Sequence, residues 1–219
     1  MARTKATVLL DRVVAGVIDL RDEAAAGDQP GDDVTTRILD ATAELLAAYG
    51  LRRWTIDDVA ERSGVGRTTV YRTFDGRDAL VHAVLARELT QTLAAIEAGV
   101  AAYDDLEDRV VEGGLIALAA LRGSLVEGLL RSDPATFLPF LTTDAGPLLM
   151  LARTAMVAGL RAAAPDMDPV HAAEVAEVAA RLGLSFILTR DTVFPVDDDA
   201  AARESLRRLL RPLLRSRAG

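Results

Sequence analysis

The sequence predicts an all-α protein, and three observations carry that expectation. Half of the 219 residues are hydrophobic but only 4% are aromatic, so the apolar mass is alanine, leucine and valine, a mixture that leans helical. Apolar residues recur three and four apart in one segment after another, the spacing of a helix with one buried face. Glycines, prolines and short polar capping residues stand between those segments. A chain of this length can bury a substantial core in one or two domains.

Met1 to Asp33 forms a leader. Leu10, Val13, Val14, Val17 and Ile18 recur at helical spacing, with Asp11, Arg12, Asp19, Arg21 and Asp22 interleaved. GDQPGDD, from Gly27 to Asp33, reads as a linker or turn. Two roles stay open here. One is an amphipathic helix packing on the body or on a partner subunit. The other is an arm in which Arg3 and Lys5 reach a phosphate or the minor groove. Val34, Ile38, Ala41, Leu45 and Ala48 then mark the buried stripe of the next helix, and Trp54 covers the core just behind it.

Thr55 to Arg77, TIDDVAERSGVGRTTVYRTFDGR, reads as two short helices folded across a glycine turn. Thr55 with Asp58 three residues on is a capping-box-like start: the hydroxyl accepts from a backbone N–H, and the carboxylate favours the positive end of the helix. Val59 and Ala60 face inward. Ser63-Gly64 ends the first helix, because Gly64 takes the left-handed cap without steric cost. Val65 plugs the turn and Gly66 opens the second helix. At about 100° per residue, Arg67, Thr68, Tyr71 and Arg72 share one face, Thr69 lies at its margin, and Val70 turns towards the first helix. Phe74 anchors the segment that follows. Such a face suits the major groove: arginine pairs bidentately with guanine, threonine meets a thymine methyl or a phosphate, and tyrosine reaches a phosphate. On spacing alone, a helical hairpin with a solvated face is the competing reading.

The run ILDATAELLAAYGLRRWTIDDVAERSGVGRTTVYRTFDGRDALVHAVL carries a resemblance. Its first helix ending in Tyr49-Gly50, the Thr55-Ile56 start, the Ala60…Gly64-Val65 turn, Thr69-Val70-Tyr71, Phe74 and Leu80 together resemble the DNA-binding domain of the TetR family of transcriptional regulators. The resemblance spans roughly Val34 to Leu85. It implies a DNA-facing set of Thr55, Arg67, Thr68, Thr69, Tyr71 and Arg72, with Arg77 in the place of a usual lysine that holds a phosphate. Asp75-Gly76 departs from the family's more frequent residues there. The implied architecture is an N-terminal extension over 1–32, a helix-turn-helix domain over 33–80 and a helical ligand-binding and dimerisation domain over 81–219.

Asp78 to about Gly99 continues as a long helix with Leu80, Val84 and Leu89 apolar, joining head to body. From Ala101 to Pro165 about three helices are expected: Asp104–Leu121, Ser124–Arg131 and one beyond Pro134 that Gly146-Pro147 breaks or kinks. Gly113-Gly114 and Gly123 loosen packing there. Phe137, Phe140, Leu141, Met150 and Met156 are candidates for an apolar pocket, with Arg122, Arg153 or Thr154 at its polar end; each is equally at home in an ordinary core. The resemblance places an inducer in this region, and the aromatic-poor lining suits an aliphatic or otherwise lipophilic molecule. Asp168–Asp191 and Asp197–Leu214 are the last two helices, the second disturbed near Pro212. Their apolar faces are too broad for one core-facing stripe, and the resemblance implies that they pair with their symmetry mates in a homodimer. Arg203, Arg207, Arg208, Arg211 and Arg215 read as a solvated face.

A net charge of −8 argues against a protein that coats nucleic acid indiscriminately, although it leaves room for a local reader. Between Gly64 and Arg77 three arginines stand against Asp75, a local net of +2 (3 − 1). There is no cysteine, so neither a disulfide nor a thiolate site is available, in keeping with a reducing cytoplasm. Apolar runs break before membrane-spanning length, and the amino terminus lacks a signal peptide's cleavage pattern. His82 and His171 stand far apart with no ligand spacing around them, and neither a phosphate loop nor a nucleophile elbow appears. No metal or cofactor is expected, and an enzyme is the poorest reading. A helical protein-binding adaptor would need an apolar docking face in place of Arg67 and Tyr71. The expectation is a homodimeric repressor that binds a pseudo-palindromic double-stranded DNA operator and is released by a small lipophilic ligand.

Overall fold

The computed structural model describes residues 5–25, 33–122, 124–189, 192–195 and 198–215, and in them every regular element is a helix. The linker read at 27–32, Arg3, Gly123, Asp191 and Asp197 lie outside the described residues. By packing, the chain forms two units: residues 1–91 with 123–147, and residues 92–122 with 148–219.

The first unit opens with α1 (Lys5–Ala25), which is helical as its spacing predicts and buries Leu10, Val13, Val14 and Val17. Ile18 departs from that stripe and is half exposed. Helix α2 (Asp33–Tyr49) buries Ile38, Ala41 and Leu45 as expected, and adds Leu39, Thr42 and Leu46. Ala48 is exposed, because the packed face follows Leu46 at the end of the helix. The buried Thr42 hydroxyl is satisfied by the Ile38 carbonyl at 2.7 Å. Gly50 ends α2 at φ 74°, and Trp54 lies buried behind it with its indole N–H donating to the Gly50 carbonyl at 3.1 Å.

Helices α3 (Ile56–Ser63) and α4 (Arg67–Thr73) follow, then α5 (Gly76–Val100), which runs unbroken through the boundary between the units. Helices α7 (Leu125–Ser132) and α8 (Pro134–Leu141) pack with this unit. That grouping differs from a division of the chain near residue 80. Close backbone approach is part of its basis: a Cβ on Gly128 would lie 3.2 Å from Ala47, a tight contact that glycine relieves between α7 and α2. Arg53 ties the same junction through the Tyr49 and Ser132 carbonyls at 3.1 and 3.2 Å.

The second unit contains the distal part of α5, with α6 (Leu106–Leu121), α9 (Gly146–Ala163) from Leu148 onward, α10 (Pro169–Leu188) and α11 (Asp199–Leu214). Among the described residues four helices, against the three or so expected, lie between Ala101 and Pro165. Gly146-Pro147 marks a break, as expected, and starts α9 after α8 has ended, since proline in a first turn gives up an N–H that has no helical partner anyway. Gly113 and Gly114 do not leave room. They admit Ile96 and Val100 of α5 on one side and Leu206 of α11 on the other. Leu160, Ala172, Val175 and Ala176 form a buried cluster against which Met156, Val157 and Leu214 pack.

The arginine run of α11 is also more than a solvated face. Arg203 pairs with Glu112, Arg207 with Asp108 and Glu107, and Arg211 with Glu107, a ladder that ties α11 to α6. Pro212 sits within the last turn without ending the helix before Leu214.

Candidate nucleic-acid interface

The start of α3 is fixed by its own sequence. The Thr55 hydroxyl accepts from the Asp58 N–H at 3.3 Å, and the Asp58 carboxylate accepts from the Thr55 N–H at 2.7 Å and its hydroxyl at 2.8 Å, closing a capping box. These bonds from Thr55 hold the Asp58 carboxyl below its ordinary range. Gly64 closes the helix at φ 65°, in the left-handed region. Val65 is buried in the turn, and its N–H is met by the Ser63 hydroxyl at 3.3 Å.

Helix α4 is seven residues long, and one of its side chains, Val70, is fully buried. Burial of such a side chain is worth about 1.5–3 kcal/mol, so Val70 with Val59 and Val65 fixes the rotation of α4 on α3. That rotation leaves Arg67, Thr68, Tyr71 and Arg72 exposed, with Thr69 at the edge and Phe74 half-buried at the C-cap. The structure therefore brings six of the seven sequence-predicted residues, Thr55 included, to the solvent side of α3 and α4. The side chains of Thr68 and Arg72 make no hydrogen bond or ion pair among the described residues.

Two of the predicted arginines have partners within the chain. Arg77 turns inward: its guanidinium stands over the Trp54 ring, 4.7 Å from the centroid, and donates to the Leu51 carbonyl. Its Nε is buried without a hydrogen-bond partner. A guanidinium so engaged braces the core under α3. Arg67 is already paired, its Nη1 lying 2.9 and 3.0 Å from the two carboxylate oxygens of Asp57 while the guanidinium stands over the Tyr71 ring. Asp57 escaped the sequence reading. The signal that points to it is an acidic residue in the first turn of α3 coupled with an arginine opening α4.

The eight residues expected around a ligand do not gather within either unit. Phe137, Phe140 and Leu141 belong to the first, where they are buried core on α8, the two rings 5.6 Å apart. Arg122, Met150, Arg153, Thr154 and Met156 belong to the second. There Arg122 is exposed beyond α6, Met150 is half exposed, and Arg153 pairs with Glu177 of α10 at 3.3 Å. Thr154 bonds the Met150 carbonyl of its own helix, and Met156 packs on the buried cluster. A surface hollow of about 350 Å³ lies elsewhere, lined by Glu204, Arg207, Arg208, Arg211, Pro212 and Arg215.

Among the described residues, no three His, Cys, Asp or Glu side chains gather as a metal site, and no single helix is long and apolar enough to cross a membrane.

Two family models match the chain. Residues 38–84 match that of bacterial regulatory proteins of the tetR family, and residues 113–212 match that of the C-terminal domain of the bacterial tetracycline repressor. An uncharacterised HTH-type transcriptional regulator of Mycobacterium bovis is 32% identical over 104 residues, 47% of this chain and 53% of that protein. The HTH-type transcriptional regulator SrpR of Pseudomonas putida is 38% identical over 55 residues, 25% of this chain and 26% of that protein. The chain thus spans about half the length, or less, of the curated relatives it matches. Among solved structures, the TetR family repressor AlkX from a Dietzia species, a protein implicated in the biodegradation of n-alkanes, is similar at 26% identity and a TM-score of 0.60, over 81% of this chain and 96% of that one. The fatty acid degradation regulator FadR of Bacillus halodurans shares the fold at 15% identity and a TM-score of 0.53, over 83% of this chain and 96% of that one.

Proposed function

The chain belongs to the TetR family of bacterial transcriptional regulators, and on that premise we propose that it is a homodimeric repressor released from a pseudo-palindromic operator by a small lipophilic ligand. One observation carries the reading. The seven-residue α4, locked in rotation by Val70, turns arginine, hydroxyl and phenol groups to solvent on a single face. A pair of such helices related by two-fold symmetry reads two half-sites, which is why the operator should repeat in inverted order.

Pairing through α10 and α11 is supported by exposed apolar side chains on α10, where Val170 is 66% and Val178 40% exposed. A lipophilic, aliphatic effector is supported by the aromatic-poor apolar composition of the C-terminal helices and by the likeness to AlkX. Its action follows population-shift arithmetic: the effector displaces DNA only as far as it prefers the conformation whose two heads no longer fit the half-sites. Selection of duplexes from a random library by the full chain tests the reading. An inverted-repeat consensus is expected, and n-alkanes of increasing chain length should then dissociate the selected complex. Recovery of no enriched sequence overturns the proposal.

A further inference from the structure

We propose that Asp57 is a specificity-determining residue of the interface, holding Arg67 so that its guanidinium reads a base edge instead of seeking a phosphate. The inference rests on the reading of α4 as the helix that enters the groove.

Asp57 stands in the first turn of α3, whose start the capping box fixes, so its carboxylate is carried on a rigid element. Both carboxylate contacts fall on one nitrogen of Arg67, Nη1, at 2.9 and 3.0 Å. A guanidinium carries five N–H donors in a fixed fork. Asp57 engages Nη1 alone, so the Nε–Nη2 edge lies outside that pair, and two parallel donors on one edge match O6 and N7 of guanine. The Tyr71 ring, 5.5 Å from the guanidinium carbon, restrains the same side chain from a second direction.

The pair contributes little to holding α3 against α4, since the two side chains are 60% and 61% exposed and exposed ion pairs are weak. Its value lies at the interface. An unheld arginine loses much rotamer freedom on binding, whereas one already held loses less. A carboxylate beside it also repels the DNA backbone, which penalises every register that sets Arg67 against phosphates. Arg72, with no such partner among the described residues, keeps the role of a general cation.

The test uses the full chain, with Asp57→Asn, Asp57→Ala, Arg67→Ala and the Asp57→Asn/Arg67→Ala double variant. Each is passed through random-duplex selection, then assayed for affinity on the selected and on random duplex at one salt concentration. Thermal melting checks that each variant is folded, and Asp57→Asn keeps the side-chain shape should the alanine variant melt early. The expected result is a symmetric pair of guanines in the wild-type consensus. In both Asp57 variants that preference weakens, and the ratio of selected to random affinity falls about tenfold, with random-duplex affinity held or raised. In the Arg67→Ala background Asp57→Asn leaves the ratio of selected to random affinity where Arg67→Ala alone puts it. An unchanged ratio in folded Asp57→Asn overturns the inference, as does an equal loss with Arg67 already absent, which would make Asp57 a direct reader of a base. A wild-type protein that enriches no sequence overturns the functional reading beneath it, and the inference falls with it.

Discussion

The guanidinium of Arg77 stands over the ring of Trp54, 4.7 Å from its centroid, and donates to the Leu51 carbonyl. This contact joins the first turn of α5 to the segment between α2 and α3, and makes Arg77 a brace of the head. Arg77→Ala should therefore lower stability by about 1–3 kcal/mol through the lost cation–π contact and hydrogen bond. Urea unfolding followed by the emission of Trp54, the one tryptophan, measures it. The salt dependence of DNA binding by the folded variant should match the wild type, because no phosphate contact has been removed. A flattened salt slope would instead put Arg77 on the DNA backbone.

Gly50 and Gly64 share a left-handed backbone at φ 74° and 65°, yet only Gly50 is also hemmed in. A Cβ there would lie 2.7 Å from the Cβ of Asp133, whereas a Cβ at Gly64 meets nothing within 4 Å. Gly64→Ala should cost about 1 kcal/mol, the strain of the conformation alone. Gly50→Ala should cost roughly 2–4 kcal/mol by adding the displacement of α8. Chemical denaturation of the two variants side by side checks the order.

His82, on α5, has its pKa held below the ordinary 6.5 by burial and then by Arg12 of α1, with Asp78 opposing. The unfolded chain takes up the proton first, so stability is level above about pH 6.5 and declines as the pH falls below it. His82→Gln should flatten that decline between pH 6.5 and 5, before carboxylates begin to titrate. Melting temperatures across this range, wild type against variant, supply the measurement.

Arg203 and Glu112 join α11 to α6, and the Glu112 side chain is only 12% exposed. The Arg203 hydrogen bond is the main reason the Glu112 carboxyl stays below its ordinary 4.5. Its stabilisation is thus present above about pH 4.5 and lost as the pH drops through the lower folded-state value. Glu112→Gln should destabilise by about 1–2 kcal/mol near neutrality, an intermediate cost for a half-buried pair. The gap to wild type should narrow below pH 4 in a denaturation series.

Local signals were the legible ones. Thr55 with Asp58, Gly64 at the turn, and the separation of Val70 from Arg67, Thr68, Tyr71 and Arg72 each depend on residues a few positions apart, and the structure keeps them all. Long-range relationships were not. Arg77 turns inward because Leu51 and Trp54 lie beneath it, which helical spacing around residue 77 does not reveal. The ladder from α11 to α6 spans about a hundred residues of sequence, so its arginines read as solvated. The grouping of α7 and α8 with the first unit follows from contacts such as Gly128 on Ala47, where a residue missing a side chain leaves no hydrophobic pattern to read.

The sparse anchoring of α4 has an evolutionary consequence. With a single valine committed to the interior, nearly every other position on that rod is free to vary without disturbing how the molecule folds. On the proposed reading of α4, a change of target sequence therefore needs only exchange of surface side chains, with the scaffold left as it is.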